Sequence, residues 1–369
     1  KLIRHRRDNQ ACPGKIRSLQ LRSSLQHSSG RFTEDRRLFD TDGMRIPGTE
    51  CDYQFSRSGS RPNHGRLYSP QYPSSYPNNI RCSYHFHFFG RGKERVRLVF
   101  QEFHLHKPSD SSSEHFLTTN LSLYIFFSCT NVDALQAFVN VDGRLDKVDT
   151  FCGTDLPKPI MSNGPKLMLE FRGTHSSRFS KGFKITYSFV ENFGINTGRQ
   201  LMEFPCAFVY NSTILRNGTF ASPNSPGPYP RDTECTYFFH GGETEKVHLH
   251  FTNFDVEGVL PCEAVSASDY VEFSNYMIDD TRFGRYCGQM KEFHVESDRN
   301  FFKVTFRSND RLDGTGFKAV YQFLEFTDEY QTTIKDTAMS SGIKSAFVLC
   351  AIKFLNKYGR ACSGMNYRR

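Results

Sequence analysis

The sequence predicts an all-β protein: two tandem, disulfide-linked antiparallel β-sandwiches of jelly-roll type with poorly ordered termini. Three observations carry this expectation. The chain contains an internal repeat, because a unit starting at Cys206 restates one starting at Cys51. Within each unit, short segments alternate apolar and polar residues and are separated by Gly/Pro-rich turns. Each unit also carries four cysteines at matching separations.

Residues 1–50 are basic and Ser-rich, lack sustained periodicity and hold only Cys12; they read as a disordered segment. The first unit spans 51–189. Its Gly65-Arg-Leu-Tyr-Ser-Pro-Gln-Tyr-Pro-Ser-Ser-Tyr-Pro leads to Cys82, and Gly218-Thr-Phe-Ala-Ser-Pro-Asn-Ser-Pro-Gly-Pro-Tyr-Pro leads to Cys235 in the second. Both glycines precede their cysteine by 17 positions, and Ser-Pro and Tyr-Pro recur in place. Proline has no amide donor, so these runs are turn-rich connections at strand edges. Strands follow at Val96, Leu98 and Phe100 and at Leu167, Leu169 and Phe171 in the first unit. Their counterparts in the second are Val247, Leu249 and Phe251, then Phe302, Val304 and Phe306. Residues 190–205 read as a linker, 206–326 as the second unit and 327–369 as a C-terminal tail with a weakly helical stretch at Ile343–Leu355.

Cys51 and Cys82 are 31 positions apart, and Cys206 and Cys235 are 29; Cys129 and Cys152 are 23 apart, and Cys262 and Cys287 are 25. Sequence alone permits many connectivities. The repeat selects the sequential one, since each pair serves its own unit. Cys12, Cys350 and Cys362 are left over. One spacing disagrees: Cys82 to Cys129 is 47 positions, whereas Cys235 to Cys262 is 27. The excess lies at 108–128, which begins polar and ends Leu-Tyr-Ile-Phe-Phe-Ser. It reads either as an extended loop for a partner or as an insertion without a structural role.

Eleven cysteines, with sequons at Asn120, Asn211 and Asn217, point to an oxidising, extracellular compartment and a glycoprotein. The net charge of +8 resides in the tails: residues 51–326 hold 29 basic and 30 acidic groups. A nucleic-acid binder is expected to carry its positive charge on the folded part, so no nucleic-acid partner is expected. No apolar run approaches the roughly 20 residues of a membrane helix, so no membrane anchor is expected in this chain. The chain begins with Lys and shows no signal-peptide pattern, and it is expected to be a fragment or a processed form.

Several motifs now fall into one order. They are Gly-x-x-x-Ser-Pro and Tyr-Pro before the second cysteine, Phe254-Asp-Val-Glu before the third, and Asp269-Tyr-Val-Glu after it. Tyr286-Cys-Gly at the fourth and Gly316-Phe-Lys near the end complete the series. Over roughly 51–189 and 206–326 the chain resembles CUB domains. The tandem pair also resembles the suppressor of lurcher and the neuropilin and tolloid-like proteins. The resemblance implies extracellular, non-catalytic interaction modules. Their partner would be the extracellular domain of a membrane receptor, such as an ionotropic glutamate receptor to which the chain is accessory, or another secreted protein. The alternatives are the non-catalytic region of a secreted tolloid-like metalloprotease and a matrix-associated binding protein.

Many members of that family bind calcium, a hard cation that takes several oxygen ligands. The family pattern carried onto this sequence implies a site at Glu257, Asp269 and Asn309, with Asp310 beside it. Asn309 stands where the pattern has Asp, which weakens the site unless Asp310 substitutes. In the first unit, alignment on aromatic residues sets His106 opposite Glu257 and Ala137 opposite Asp269, and counting seven back from Gly182 sets His175 opposite Asn309, so calcium is expected in the second unit only. The bound ion is expected to fix loops 255–261 and 308–315, which then present acidic groups to a partner's Lys or Arg. His85, His87, His104 and His106 offer a weaker zinc alternative; they read better as outward neighbours of an apolar face. There is no His-Glu-x-x-His, no nucleophile elbow and no phosphate loop, and no catalytic residues are assigned.

Overall fold

A computed structural model of the chain describes residues 39–57, 62–89, 93–106, 129–141, 143–263, 266, 268–278 and 282–326. The insertion at 108–128 with Asn120, the three left-over cysteines and the stretch 343–355 lie outside the described residues. Both sandwiches fall within one compact unit that begins at Thr41.

The first sandwich contains β1 (Met44–Arg45), β2 (Tyr53–Arg57), β3 (His64–Tyr68), β4 (Ile80–Phe88), β5 (Arg95–His104), β6 (Ala134–Val141), β7 (Arg144–Phe151), β8 (Ile160–Met161), β9 (Lys166–Gly173) and β10 (Gly182–Val190). One sheet runs β1-β2-β4-β9-β6-β7 and the other β3-β10-β5-β8. The second contains β11 (Arg199–Gln200), β12 (Ala207–Asn211), β13 (Asn217–Ala221), β14 (Glu234–His240), β15 (Glu245–Val256), β16 (Tyr270–Ser274), β17 (Arg285–Tyr286), β18 (Gly288–Met290), β19 (Phe293–Glu296), β20 (Phe301–Arg307) and β21 (Gly316–Glu325). Its sheets run β11-β12-β14-β20-β16-β17 and β13-β21-β15-β18, with β19 also on β15. The second order restates the first, with β19 in the place of β8 and β18 as an additional strand. Pairing is antiparallel except for β2 with β4 and β12 with β14, which run parallel. Among the described residues there is no α-helix.

The alternating residues meet in two aromatic-rich cores. Leu167, Leu169 and Phe171 are buried with Val96, Leu98 and Phe100 in the first. Val247, Leu249, Phe251, Phe302, Val304 and Phe306 are fully buried in the second. Phenylalanine suits this role because it brings a large apolar area and no polar atom needing a partner. The disulfides are Cys51–Cys82, Cys129–Cys152, Cys206–Cys235 and Cys262–Cys287. On the loop-entropy argument each stabilises its sandwich by about 3–4 kcal/mol.

The repeated motifs have a mechanical explanation. The Ser of each Ser-Pro turns its hydroxyl onto the start of the last strand: Ser69 Oγ accepts from Phe183 N and Ser222 Oγ from Phe317 N, both at 3.0 Å. The preceding glycines, Gly182 and Gly316, have φ of +85° and +74°. A Cβ there would sit 1.8 or 1.9 Å from the serine hydroxyl, so only glycine fits.

The two Pro-rich turns share a backbone but not a role. Gln71 and Asn224 both have positive φ, 63° and 60°. Gln71 is exposed. Asn224 is completely buried, because it docks the second sandwich on the first. Its Nδ2 donates to Pro159 O at 2.9 Å and to Pro228 O at 2.7 Å, its Oδ1 accepts from Arg97 Nε at 3.1 Å, and its amide donates to Phe193 O at 2.9 Å. Arg95 covers the Phe193 ring at 4.6 Å. Within the segment read as a linker, β11 pairs with β12.

Candidate cation site at one end of the second sandwich

The Tyr of the second Tyr-Pro, Tyr229, sits between the loops that follow β15 and β20. Its hydroxyl donates to Asp269 Oδ2 at 2.7 Å and accepts from Glu257 N at 2.9 Å. Asp269, just before β16, accepts at Oδ1 from Asn309 N at 2.6 Å. Three separated segments, carrying Glu257, Asp269 and Asn309, are thus tied around one phenol and one carboxylate. Asp310 is exposed, and no hydrogen bond in the described structure ties it to the other three. Asn309 Oδ1 accepts from Arg311 N at 2.7 Å and so also shapes the loop.

Asp269 is 1% exposed and has no cationic partner among its hydrogen bonds. Burial pushes its carboxyl up to about 6, helped by the charges of Glu257 and Asp313 and opposed by the Tyr229 and Asn309 hydrogen bonds. Asp313 is a group the sequence reading missed. It lies in the same loop as Asn309 and pairs with Arg231 Nε at 3.0 Å. Its signal was available: an acid three residues before the fixed Gly316, opposite an Arg just after Tyr-Pro. Among the described residues, no three His, Cys, Asp or Glu side chains are gathered so as to hold a metal ion. The groups shown on Asp269 are a phenol O–H and a backbone N–H, and the charges of Glu257 and of the Arg231-paired Asp313 add to the cost of its burial. Asp269, Glu257 and Asn309 carry side-chain oxygens, the ligand type that calcium takes.

The first sandwich builds the same frame. Tyr76 Oη donates to Asp133 Oδ2 at 2.7 Å and accepts from His106 N at 2.8 Å. Asp133 Oδ1 accepts from Thr174 N at 2.6 Å and from His175 N at 3.2 Å. His106 therefore does stand opposite Glu257, but His175 does not stand opposite Asn309; Thr174 does. Phe171 faces Cys82 as Phe306 faces Cys235, and Thr174 O accepts from Asn79 N as Asn309 O accepts from Asp232 N. Counting back from Gly182 slips by one because the first loop is one residue longer. Nor does Ala137 stand opposite Asp269; Asp133 does. The register settles this, since Leu135 faces Phe171 as Val271 faces Phe306. Alignment on Phe138 and Tyr270 slips by four residues because the loops after Cys129 and Cys262 differ in length. The first sandwich thus has an imidazole in place of the Glu257 carboxylate and a threonine hydroxyl in place of the Asn309 amide, and it keeps the buried carboxylate, which is 2% exposed.

The histidines of the zinc alternative do not converge. His85 and His87 lie on β4 and His104 on β5, in different sheets. His85 Nε2 contacts Ser83 Oγ at 3.1 Å, and the His87 ring packs on Phe89 at 3.9 Å. Asn211 caps its own turn, with Oδ1 accepting from Thr213 N at 2.9 Å, and Asn217 is exposed at the start of β13.

A family model described as "CUB domain" matches residues 51–187 and 210–321, more than half of the chain. The chain belongs to the CUB family. CUB domains are extracellular, non-catalytic modules that bind other proteins, and the chain holds two. It is 28% identical over 258 residues to cubilin of Rattus norvegicus, covering 70% of this chain and 6% of that protein. It is 25% identical over 279 residues to tolloid-like protein 2 of Mus musculus, covering 75% of this chain and 23% of that protein. The chain therefore spans only a small part of these relatives, and the matches to it are CUB domains. Similar solved structures include the CUB1-EGF-CUB2 domain of human MASP-1/3, at 21% identity and TM-score 0.28, covering 71% of this chain and all of that one. Another is the MASP-1 CUB2 domain bound to Ca2+, at 24% identity and TM-score 0.26, covering 32% of this chain and 96% of that one. Among the described residues no helix is long and apolar enough to cross a membrane.

Proposed function

We propose that this CUB pair binds another extracellular protein through the loops around Asp269, and that a calcium ion held by Glu257, Asp269 and Asn309 orders those loops. The observation that supports this is the buried Asp269 carboxylate, raised to about 6 with Glu257 and Asp313 adding to its burden. Asp310, exposed on the same loop, would contribute to the outer edge of the site. When bound, the ion neutralises the clustered carboxylates. The chain's own residues do the rest. Tyr229 orients the carboxylate, the Arg231–Asp313 pair braces the loop, and remaining carboxylate oxygens face a partner's Lys or Arg. Calorimetry of the full chain tests the site: a calcium heat is expected that Asp269→Ala removes and Asp133→Ala leaves. No calcium heat, or a heat that survives Asp269→Ala, would overturn it.

The finer reading, an accessory protein of a cell-surface receptor such as an ionotropic glutamate receptor, rests on the tandem arrangement. Binding of the chain to a soluble receptor ectodomain, with calcium and with chelator, decides it. The likeness to tolloid-like protein 2 supports a second reading, the non-catalytic region of a secreted metalloprotease. The complete open reading frame would show or lack the protease segment.

A further inference from the structure

The outer face of β15 and β19 carries a histidine group that the calcium reading leaves unused. Strands alternate their side chains, so Val247, Leu249, Phe251 and Val295 enter the core while His248, His250, His294 and Glu296 point outward. Register sets His248 directly across from Glu296 and His250 across from His294. The site lies seven to nine residues back along β15 from Glu257, roughly 25 Å at strand rise, so it is separate from the cation site above.

The contacts are ordered. His248 Nδ1 lies 2.8 Å from Glu296 Oε1, which makes that nitrogen the N–H donor and leaves Nε2 with its lone pair. His248 Nε2 lies 3.1 Å from His294 Nδ1. The His250 ring stacks on His294 at 4.2 Å and 15°, and its own Nε2 lies 3.3 Å from Glu292 Oε2. Lys246 Nζ holds the other oxygen of Glu296 at 2.6 Å. One imidazole is thus oriented by a carboxylate and the second by stacking, with two ring nitrogens facing each other at 3.1 Å.

We propose that His248 and His294 form a surface binding site for a divalent transition cation of the zinc class. Two imidazoles on a tetrahedral zinc place their nitrogens about 3.3 Å apart, and a right-angled pair about 2.9 Å apart. The observed 3.1 Å lies between these values, so the nitrogens are already at the right separation and the rings need only turn to aim at a shared cation. Glu296–His248–cation is the carboxylate–histidine–metal arrangement, in which the carboxylate fixes the tautomer and raises ligand basicity. Binding moves the His294 proton from Nδ1 to Nε2, which frees Nδ1 to coordinate. The protein supplies two ligands and water the others, in keeping with the lack of a three-ligand group among the described residues. Imidazole favours zinc, nickel or copper over calcium or magnesium, which prefer oxygen.

Zinc chloride titrated calorimetrically into the full chain, with calcium in excess, tests the site. One zinc per chain is expected. His248→Ala and His294→Ala should each abolish the heat, and Glu296→Gln should weaken binding about tenfold. The double variant His85→Ala/His87→Ala should bind as the parent does. All these side chains are on outer faces, and unchanged circular dichroism confirms that each variant is folded. Absence of zinc heat in the parent, its survival in His248→Ala or His294→Ala, or its loss in the His85/His87 variant would each overturn the proposal.

Discussion

The two sandwiches end in the same device and differ in what surrounds it. Tyr76 with Asp133 and Tyr229 with Asp269 make equal 2.7 Å hydrogen bonds, and each carboxylate gathers the loop after the next long strand through its amides. At the two corresponding places around this pair the first sandwich has His106 and Thr174; the second has Glu257 and Asn309. The buried Asp therefore has a structural task that does not need an ion: it closes three segments over the end of the core. On the proposed reading the two neighbouring positions would add the capacity for a cation, and these are the positions that differ.

Three changes would break or sharpen this comparison. The largest effect is expected from Gly182→Ala and Gly316→Ala. Each places a Cβ at positive φ on a serine hydroxyl, and each should cost its own sandwich about 3 kcal/mol, read by denaturant unfolding with hydrogen exchange on β10 and β21. A loss in only one sandwich would show that the two frames are not mechanically equivalent.

The next is a pH effect confined to the second sandwich. The Asp269 carboxyl is raised from 3.8 to about 6 in the folded protein. Its contribution is fully present below about pH 4, where both states are protonated. As pH rises to 6 the unfolded chain gives up a proton that the folded chain keeps, and stability falls by about 3 kcal/mol. Asp313, pushed up by burial, acts in the same direction. Urea unfolding in chelator should show this fall in the parent relative to Asp269→Asn, and calcium at pH 7 should restore it. Equal pH profiles for parent and variant would remove the electrostatic distinction.

The smallest effect concerns the matched turns. Asn224→Ala removes the hydrogen bonds to Arg97 and Pro159 across the two sandwiches, at about 2 kcal/mol, whereas Gln71→Ala at the equivalent exposed turn carries only the backbone strain the two changes share. Calorimetry should resolve separate unfolding of the two sandwiches in Asn224→Ala and not in Gln71→Ala.

Much of this was determined by the sequence alone. Period-two alternation places Val247, Leu249 and Phe251 on one face whatever the rest of the fold does. Repeated cysteine spacing names the four pairs, and the Ser-Pro, Tyr-Pro and Gly-Phe motifs mark corresponding places in both units. These are local or periodic features, fixed by strand geometry and chain connectivity. The tertiary structure decided the rest. Asp133 could be recognised as the partner of Asp269 only from strand register and a shared tyrosine, because loops of unequal length hide the correspondence. The burial of Asn224, the approach of Asp313 to Asp269, and the meeting of His248 with His294 across two strands all depend on residues far apart in sequence. Their chemistry follows from distance and desolvation, which act through space and leave no period in the chain.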